Sequence, residues 1–213
     1  IENQILIFRT VKSICLLILF VTPLFLLGQN NHPDSLIEKG RNLVYENPKR
    51  AISLVEPILL SGNQNQVFEA CYLSGDCKYL LGEFDESLKS YESCLKIGEA
   101  QEDEDKISKG YLGMGSIYSE NGNPDVAFEY YFKALEIRER IGDQLETANA
   151  LNNIAVLFHK QGKHEKAITY MHQVNQIDCE LQDSISMGFS FSNLGAFHYF
   201  TNNPDSSLFY HNN

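Results

Sequence analysis

The stretch GSIYSENGNPDVAFEYYFKA, residues 115–134, decides the fold because its landmarks recur along most of the chain. Gly115 is followed after seven residues by Gly122, five later by Ala127 and four later by Tyr131. Corresponding residues recur every 40 positions: Gly75, Gly82, Ser87 and Tyr91; Ala155, Gly162, Ala167 and Met171; and Gly195, Asn202, Ser207 and His211. A fixed period of about 20 to 50 residues indicates stacked supersecondary units rather than one globular core.

The residues between these landmarks have helical periodicity, with small residues where helices would cross closely and bulky residues where they would interlock. Asn-Pro pairs at 47–48, 123–124 and 203–204 predict helix starts, because Asn caps free N–H groups and Pro suits the first helical position. Ser35 and Glu38 predict a capping box. We predict ten helices, at about 34–45, 49–61, 65–81, 84–100, 105–121, 124–141, 145–161, 164–181, 185–201 and 204–212.

The residues in this register resemble the tetratricopeptide repeat. Residues 114–118, MGSIY, are similar to the Leu-Gly-x-x-Tyr stretch of that repeat's helix A, and Ala127 and Ala134 to the small residues of its helix B. Residues 150–158, ALNNIAVLF, resemble the longer repeats of kinesin light chains and of bacterial sensor proteins. The resemblance covers about residues 33–213. It implies an all-α fold, a right-handed α-solenoid of antiparallel helix pairs with about four and a half repeats.

The N-terminus has a different character from the repeats. Arg9 and Lys12 precede an apolar run from 14 to 27, and a polar stretch begins at Gly28. This order predicts a secretory signal peptide over residues 1–28, with an uncleaved N-terminal anchor as the alternative. We therefore expect an exported protein, either periplasmic or tethered to the membrane and facing the periplasm.

The predicted solenoid, residues 33–213, has a short last helix. At 204–212 it is about half as long as the other B helices and follows a helix A rich in aromatic residues. Each repeat of a solenoid buries its apolar face against a neighbour. We expect an array that is incomplete at its C-terminus and that frays or self-associates through exposed aromatic side chains.

Charge and cysteine content restrict the partners and the chemistry. Seventeen basic and 28 acidic residues give a net charge of −11 without a basic stripe, so the sequence excludes a nucleic-acid surface. The acidic run at 102–105 is interpreted as a solvated turn rather than a cation site. The four cysteines of the repeats could form disulfides, but buried free thiols are favoured: Cys71, Cys77, Cys94 and Cys179.

Catalytic and cofactor motifs are not recognisable in the repeats. Gly110, Gly113 and Gly115 lie within a predicted helix and are interpreted as packing glycines rather than a phosphate-binding loop. The spacing of His159 and His164 matches no helical metal motif. The sequence predicts no enzyme, no cofactor and no metal site.

Repeats of this family present the side chains of helix A on a concave face that binds a peptide or protein segment. The resemblance places these residues there: Tyr72, Asp76, Tyr79, Lys109, Leu112, Ser116, Asn149, Asn152, Asn153, His159, Ser192, Asn193 and Tyr199. Asn153 and Asn193 share one register position, where an amide can hold a peptide backbone or, alternatively, bridge adjacent helices. Among basic residues only Lys109 fits the groove, which disfavours recognition of acidic C-terminal peptides.

The predicted function is that of an exported protein-protein interaction module. One form is the sensor half of a bacterial signalling protein whose output domain follows Asn213. The alternative is a free-standing periplasmic assembly scaffold, and a lost enzyme domain is a third and weaker interpretation.

Overall fold

The computed structural model describes residues 32–211, where the chain is a row of antiparallel helices without a β-strand. The predicted signal peptide or anchor, residues 1–28, lies outside the described residues. Eleven helices occur in the described range: α1 Pro33–Leu43, α2 Pro48–Val55, α3 Ile58–Ser61, α4 Gln64–Leu80, α5 Phe84–Gln101, α6 Glu104–Glu120, α7 Pro124–Ile141, α8 Gln144–Lys160, α9 His164–Leu181, α10 Ser184–Phe200 and α11 Pro204–His211. The predicted all-α solenoid is confirmed. No helix in the described range is long and apolar enough to cross a membrane.

The first repeat departs from the prediction. The helix expected over 49–61 is two helices, α2 and α3, separated by Glu56 and Pro57. Pro57 has no N–H and therefore cannot donate to a carbonyl of the preceding turn, so α2 ends before it. From α4 onwards, the observed helices begin and end within about two residues of the predicted bounds.

Aspartates spaced 40 residues apart start the later A helices. Asp103, Asp143 and Asp183 are the N-cap residues of α6, α8 and α10, and each side chain accepts a hydrogen bond from a backbone N–H of the first turn. A carboxylate at this position satisfies a free donor and also interacts favourably with the helix dipole. The periodic aspartates are a signal that the repeat pattern contained and the helix prediction did not use.

The predicted caps are only partly correct. The side chains of Asn47 and Asn203 accept from backbone N–H groups three residues on, but Asn123 makes no such bond. The predicted capping box of Ser35 and Glu38 is wrong, because α1 already begins at Pro33 and Ser35 lies inside its first turn.

The second landmark of the register marks the turn between helices A and B. Gly82, Gly122 and Gly162 have φ angles of +74°, +72° and +72°, and Asn202 has a φ of +55°. Side chains with a Cβ rarely adopt this left-handed conformation, and Asn tolerates it better than most residues. The glycine at this position is therefore a requirement of the backbone.

The small and bulky landmarks pack against each other inside each repeat. A Cβ placed on Gly75 would lie 2.8 Å from the Tyr91 ring, and one on Gly115 would lie 2.6 Å from the Tyr131 ring. Gly113 lies in the next repeat, and a Cβ placed on it would lie 2.4 Å from the same Tyr91 ring. The predicted packing role of these glycines is confirmed. A tyrosine thus fills the space that two glycines leave between neighbouring helices.

The third landmark of the register is serine in two repeats, and there its hydroxyl adds a hydrogen bond to this packing. The buried Ser87 hydroxyl donates to the Gly75 carbonyl at 2.8 Å, and the Ser207 hydroxyl donates to the Gly195 carbonyl at 2.9 Å. In the two repeats between them this position is alanine and is fully buried. The site therefore admits only a small side chain.

Arg138 is a fully buried cation that joins three helices. Its Nη1 atom lies 2.6 Å from Asp105 Oδ1 and 3.1 Å from Asp143 Oδ2. The end of α7 is thereby tied to the starts of α6 and α8. Three residues of the acidic run at 102–105 are in ion pairs that the sequence did not predict: Asp103 with Lys106, Glu104 with Arg140, and Asp105 with Lys109 as well as Arg138. Glu102 is exposed, as expected of a solvated turn.

The cysteines of the described residues are free thiols, as predicted. Cys71, Cys77 and Cys94 are buried, and the Cys94 thiol lies 3.7 Å from the Phe68 carbonyl, to which it donates. Cys179 is exposed, so the predicted burial is wrong for this residue.

The C-terminal end of the described array exposes apolar side chains, as the sequence predicted. Their exposed fractions range from 56% to 74%, and the residues are Ile185, Phe189, Tyr199, Phe200, Leu208 and Phe209. Leu194 and Phe197 of the same helix are buried in the core. Whether this surface causes fraying or self-association stays a prediction.

Replacing Gly113 tests the packing of tyrosine against glycine. We expect Gly113→Ala to lower the free energy of unfolding by about 1–3 kcal/mol, because the added methyl group overlaps the Tyr91 ring. Gly188→Ala is the matched control: Gly188 also lies inside a helix but has no atom within 4 Å of an added Cβ. That control should raise stability by about 0.5–1 kcal/mol. Urea unfolding followed by circular dichroism measures both, and two variants of equal stability would contradict the packing argument.

Replacing Arg138 tests the buried ion cluster. We expect Arg138→Ala to cost about 3 kcal/mol, at the low end for a broken buried pair because both carboxylates remain partly exposed. Arg140→Ala provides the comparison, since Arg140 is 54% exposed and pairs with Glu104. It should cost less than about 1 kcal/mol. Similar midpoints for the two variants in urea would show that the cluster does not stabilise the repeat junction.

Candidate peptide-binding groove

The A helices lie side by side and form one face of the array. The Tyr79 hydroxyl donates to Glu120 at 3.2 Å, and Glu120 in turn pairs with Lys160 at 2.7 Å. Further along, the Asn193 amide donates to Asn152 Oδ1 at 3.1 Å. These bonds join equivalent parts of successive A helices. We call the surface formed by α4, α6, α8 and α10 the A-helix face; it is the face predicted to bind a ligand.

A pocket of about 340 Å³, the N-terminal pocket, opens on this face. Three predicted site residues line it, Tyr72, Asp76 and Lys109. Arg41 of the first repeat lines it as well and forms an ion pair with Glu69 of α4, a contribution that the sequence did not reveal. The pocket therefore combines both signs of charge with an aromatic wall.

Asp76 is the most perturbed carboxyl group of the N-terminal pocket. Burial raises its pKa from an ordinary value of 3.8 to about 6, while the Tyr91 hydroxyl, which donates to Asp76 Oδ1 at 2.6 Å, opposes that rise. Burial and the Asp76 charge raise the pKa of Tyr91 far above its usual range, so Tyr91 stays protonated as the donor. Such a perturbed carboxyl in a pocket is a candidate binding group.

The middle of the A-helix face is largely occupied by contacts within the protein. Leu112 is 8% exposed and belongs to the hydrophobic core, so the prediction that it meets a ligand is wrong. Its position on helix A points it between the helices. The Ser116 hydroxyl donates to the Leu112 carbonyl and lies 3.3 Å from the Tyr131 hydroxyl. Tyr79 is bonded to Glu120, as described above.

A second cavity of about 270 Å³, the C-terminal pocket, lies among α8, α9 and α10. Its polar lining brings together three predicted asparagines with residues that the sequence did not single out. The complete lining is Leu145, Ala148, Asn149, Asn152, Val174, Asp178, Ser186, Phe189, Ser190 and Asn193. Asp178 could have been found from the repeat register, because it stands 40 residues after Arg138.

The two asparagines predicted to share one role have different surroundings. Asn193 bridges to Asn152 on the neighbouring helix, which agrees with the alternative that such amides join adjacent helices. Asn153 is partly exposed, and its side chain has no hydrogen bond within the described residues. Asn153 can therefore donate and accept toward a ligand without breaking a bond of the protein.

The remaining predicted residues lie away from both pockets. His159 Nδ1 is 3.0 Å from His164 Nδ1, and its ring stacks on Phe197 at 4.6 Å between centroids. Burial lowers the pKa of His159, and the neighbouring His164 lowers it further. Ser192 is exposed and Tyr199 belongs to the exposed C-terminal end. The described residues contain no group of three or more potential ligands placed to hold a metal ion.

Replacing Asp76 tests its unusual environment. Between about pH 4 and pH 6 the folded chain holds a proton on Asp76 that the unfolded chain has released, so stability falls as the pH rises through this window. Asp76→Asn keeps an acceptor for Tyr91 and does not titrate. Its free energy of unfolding should therefore exceed that of the wild type at pH 7.5, and the difference should shrink toward pH 4. Urea unfolding at both pH values measures this, and a difference independent of pH would contradict the buried carboxyl.

Two sequence models described as tetratricopeptide repeat match residues 106–177 and 68–100. Photosystem I assembly protein Ycf3 of Rippkaea orientalis is 35% identical over 84 residues, which are 38% of this chain and 42% of that protein. Its counterpart in Prochlorococcus marinus is 27% identical over 134 residues, 63% of this chain and 68% of that protein. The chain thus spans less than half the length of the first of these relatives.

The solved structure of BtubC (BKLC) from P. vanneervenii has the same fold. It superposes with a TM-score of 0.65 at 19% identity, covering 84% of this chain and 85% of that one.

These comparisons overturn the predicted location. The sequence predicted an exported protein in the periplasm or facing it from a membrane. The relatives, including one from Cyanophora paradoxa at 30% identity, are named for the assembly of photosystem I. The prediction of an exported, periplasmic protein is therefore wrong.

The family follows from sequence and structure together. The matched models cover repeats that the structure shows as consecutive antiparallel helix pairs with a 40-residue register. Stacked pairs of this kind serve as protein-protein interaction modules, since each adds surface to a continuous face. The chain belongs to the tetratricopeptide repeat family.

Proposed function

We propose that this chain is an assembly scaffold that holds an extended segment of a partner protein on its A-helix face. The observation that carries the proposal is the presence of two small polar pockets on this one face, of about 340 and 270 Å³. Pockets for drug-sized ligands are usually about 300–1,000 Å³. The N-terminal pocket lies at the lower end of this range and the C-terminal pocket just below it, so we expect each to take one or two side chains of a bound segment.

An extended segment suits a face with separate pockets. Its side chains would enter the pockets, and its backbone groups would meet polar side chains between them. Asn153 offers an unpaired amide for such a contact, and Asn149 at the rim of the C-terminal pocket is exposed. An amide recognises backbone whatever the partner's sequence, since it both donates and accepts.

The names of the relatives favour a scaffold over a sensor. The relatives that the chain matches are named as photosystem I assembly proteins. We propose the same general role for this chain, which would hold one component while another is added.

The proposal is tested with peptides selected by phage display on the full chain. Binding of a selected 12-residue peptide is measured by fluorescence anisotropy. We expect the Asn153→Ala, Asn193→Ala double variant to weaken binding by about 1–3 kcal/mol, because hydrogen bonds that are dry in the complex would be lost. Gln173→Ala, an exposed amide on α9, is the control and should bind as the wild type does.

Two outcomes would contradict the proposed binding of a segment on the A-helix face. If the double variant keeps its fold by circular dichroism and binds every selected peptide with unchanged affinity, the two asparagines are not part of the site. A second contradicting outcome concerns Leu208, which is exposed at the C-terminal end. If the Leu208→Ser variant fails to bind every selected peptide, the partner surface is the C-terminal end and not the A-helix face.

A further inference from the structure

The junction between the third and fourth repeats provides an internal reference for the C-terminal pocket. There, Arg138 at the end of α7 is fully buried and lies between the carboxylates of Asp105 and Asp143. One cation is thus held by two anions where a helix B meets the starts of two A helices. This position of the repeat can therefore accommodate a buried cation beside carboxylates, and here the protein itself supplies that cation.

Forty residues later the same position carries the opposite charge. Asp178 replaces Arg138, Leu145 replaces Asp105, and Asp183 corresponds to Asp143. Asp178 is only 2% exposed, and its Oδ2 atom has no hydrogen-bond partner among the described residues. A buried carboxylate oxygen without a partner is costly, so the arrangement is incomplete as it stands.

The groups around Asp178 do not supply the missing positive charge. Asp183 caps α10, accepting from the Ser186 N–H and hydroxyl at 3.1 and 2.9 Å, and its charge repels that of Asp178. The Ser190 hydroxyl, which has a single proton to donate, lies within hydrogen-bond distance of Asn175 Oδ1 at 3.2 Å and of the Met187 carbonyl at 3.1 Å. Burial raises the pKa of Asp178, the proximity of Asp183 raises it further, and only the nearby Ser190 hydroxyl opposes this.

The shorter side chain also leaves space. Asp178 is part of the wall of the C-terminal pocket, whose volume is about 270 Å³ and whose polar lining includes Asn149 and Asn193. In the preceding repeat the corresponding side chain is arginine, which occupies its own junction. A pocket with a buried carboxylate in its wall and amides around it matches the shape and charge of a guanidinium group.

We propose that the C-terminal pocket binds an arginine side chain of the partner segment, with Asp178 as its counterion and the neighbouring asparagines as additional hydrogen-bond acceptors. This inference rests on the proposed function, because it names one side chain of the segment held on the A-helix face. The arginine would take the place that Arg138 fills from within the chain one repeat earlier. Its guanidinium can reach a carboxylate and amide oxygens at the same time, because it has five donors in one plane.

The first test uses a small probe. N-acetyl-arginine amide is titrated into the ¹⁵N-labelled full chain, and chemical shifts are followed by NMR. N-acetyl-citrulline amide, which has the same shape without the charge, is the comparison. We expect the arginine compound to shift amides in residues 145–152 and 183–193 and to bind at least about tenfold more tightly than the citrulline compound, with added salt weakening it. Equal binding of the two compounds, or shifts elsewhere only, would overturn the proposal.

A pair of variants assigns the effect to one carboxylate. Asp178→Asn keeps the shape of the side chain and should reduce binding of the arginine compound at least about tenfold. Glu180→Gln, at an exposed position two residues further along α9, should leave binding unchanged. Undiminished binding to the folded Asp178→Asn variant would assign the cation elsewhere. If that variant does not fold, the arginine and citrulline comparison on the wild type still decides the question.

The peptides selected for the proposed function separate the two ideas. If peptides bind through Asn153 and Asn193 but replacing each of their arginines by citrulline has no effect, the arginine pocket is wrong and the scaffold function stands. If the arginine compound binds at Asp178 while no peptide depends on the two asparagines, the pocket stands and the proposed extended groove fails.

Discussion

The close approach of neighbouring helices at glycine is the constraint on which this structure depends. The Tyr91 ring lies against Gly75 of its own repeat and Gly113 of the next, at distances that leave no room for a Cβ on either residue. Because one ring touches both helices, the packing within a repeat and the packing between repeats are set together. The side-by-side arrangement of the A helices, and therefore the continuous A-helix face, follows from this contact.

One position in the last turn of helix B holds residues of different chemistry in successive repeats: Gly98, Arg138 and Asp178. At Gly98, α5 and α6 approach so closely that a Cβ added to Gly98 would lie 2.9 Å from the Ile107 backbone nitrogen. At Arg138 the junction holds a buried cation between two carboxylates. At Asp178 it holds a buried carboxylate beside a cavity. The backbone fold is the same in all three cases, so the electrostatic character of a junction can change without changing the array.

This separation of scaffold and surface explains how the candidate sites arise. Landmarks that hold the helices together, such as Tyr131 and Ala167, are buried. Residues on the A-helix face vary from repeat to repeat, with Asp76 and Tyr72 in the N-terminal pocket and asparagines in the C-terminal pocket. A solenoid can thus keep its core constant while each pair of neighbouring repeats forms a different pocket.

The sequence by itself determined the helix pairs, their order and their family. The reason is that the 40-residue period of small and bulky residues can be read directly along the chain, without knowing which helices touch. It also identified the asparagines near the C-terminal pocket through their register. Pro57 divides a predicted helix for a local reason that the sequence contained and the helix prediction did not use. The sequence did not reveal that Leu112 is core or that the Asn193 amide donates to Asn152. Only the tertiary structure decided these points, since burial and pairing depend on residues about 40 positions away, where helices of different repeats meet.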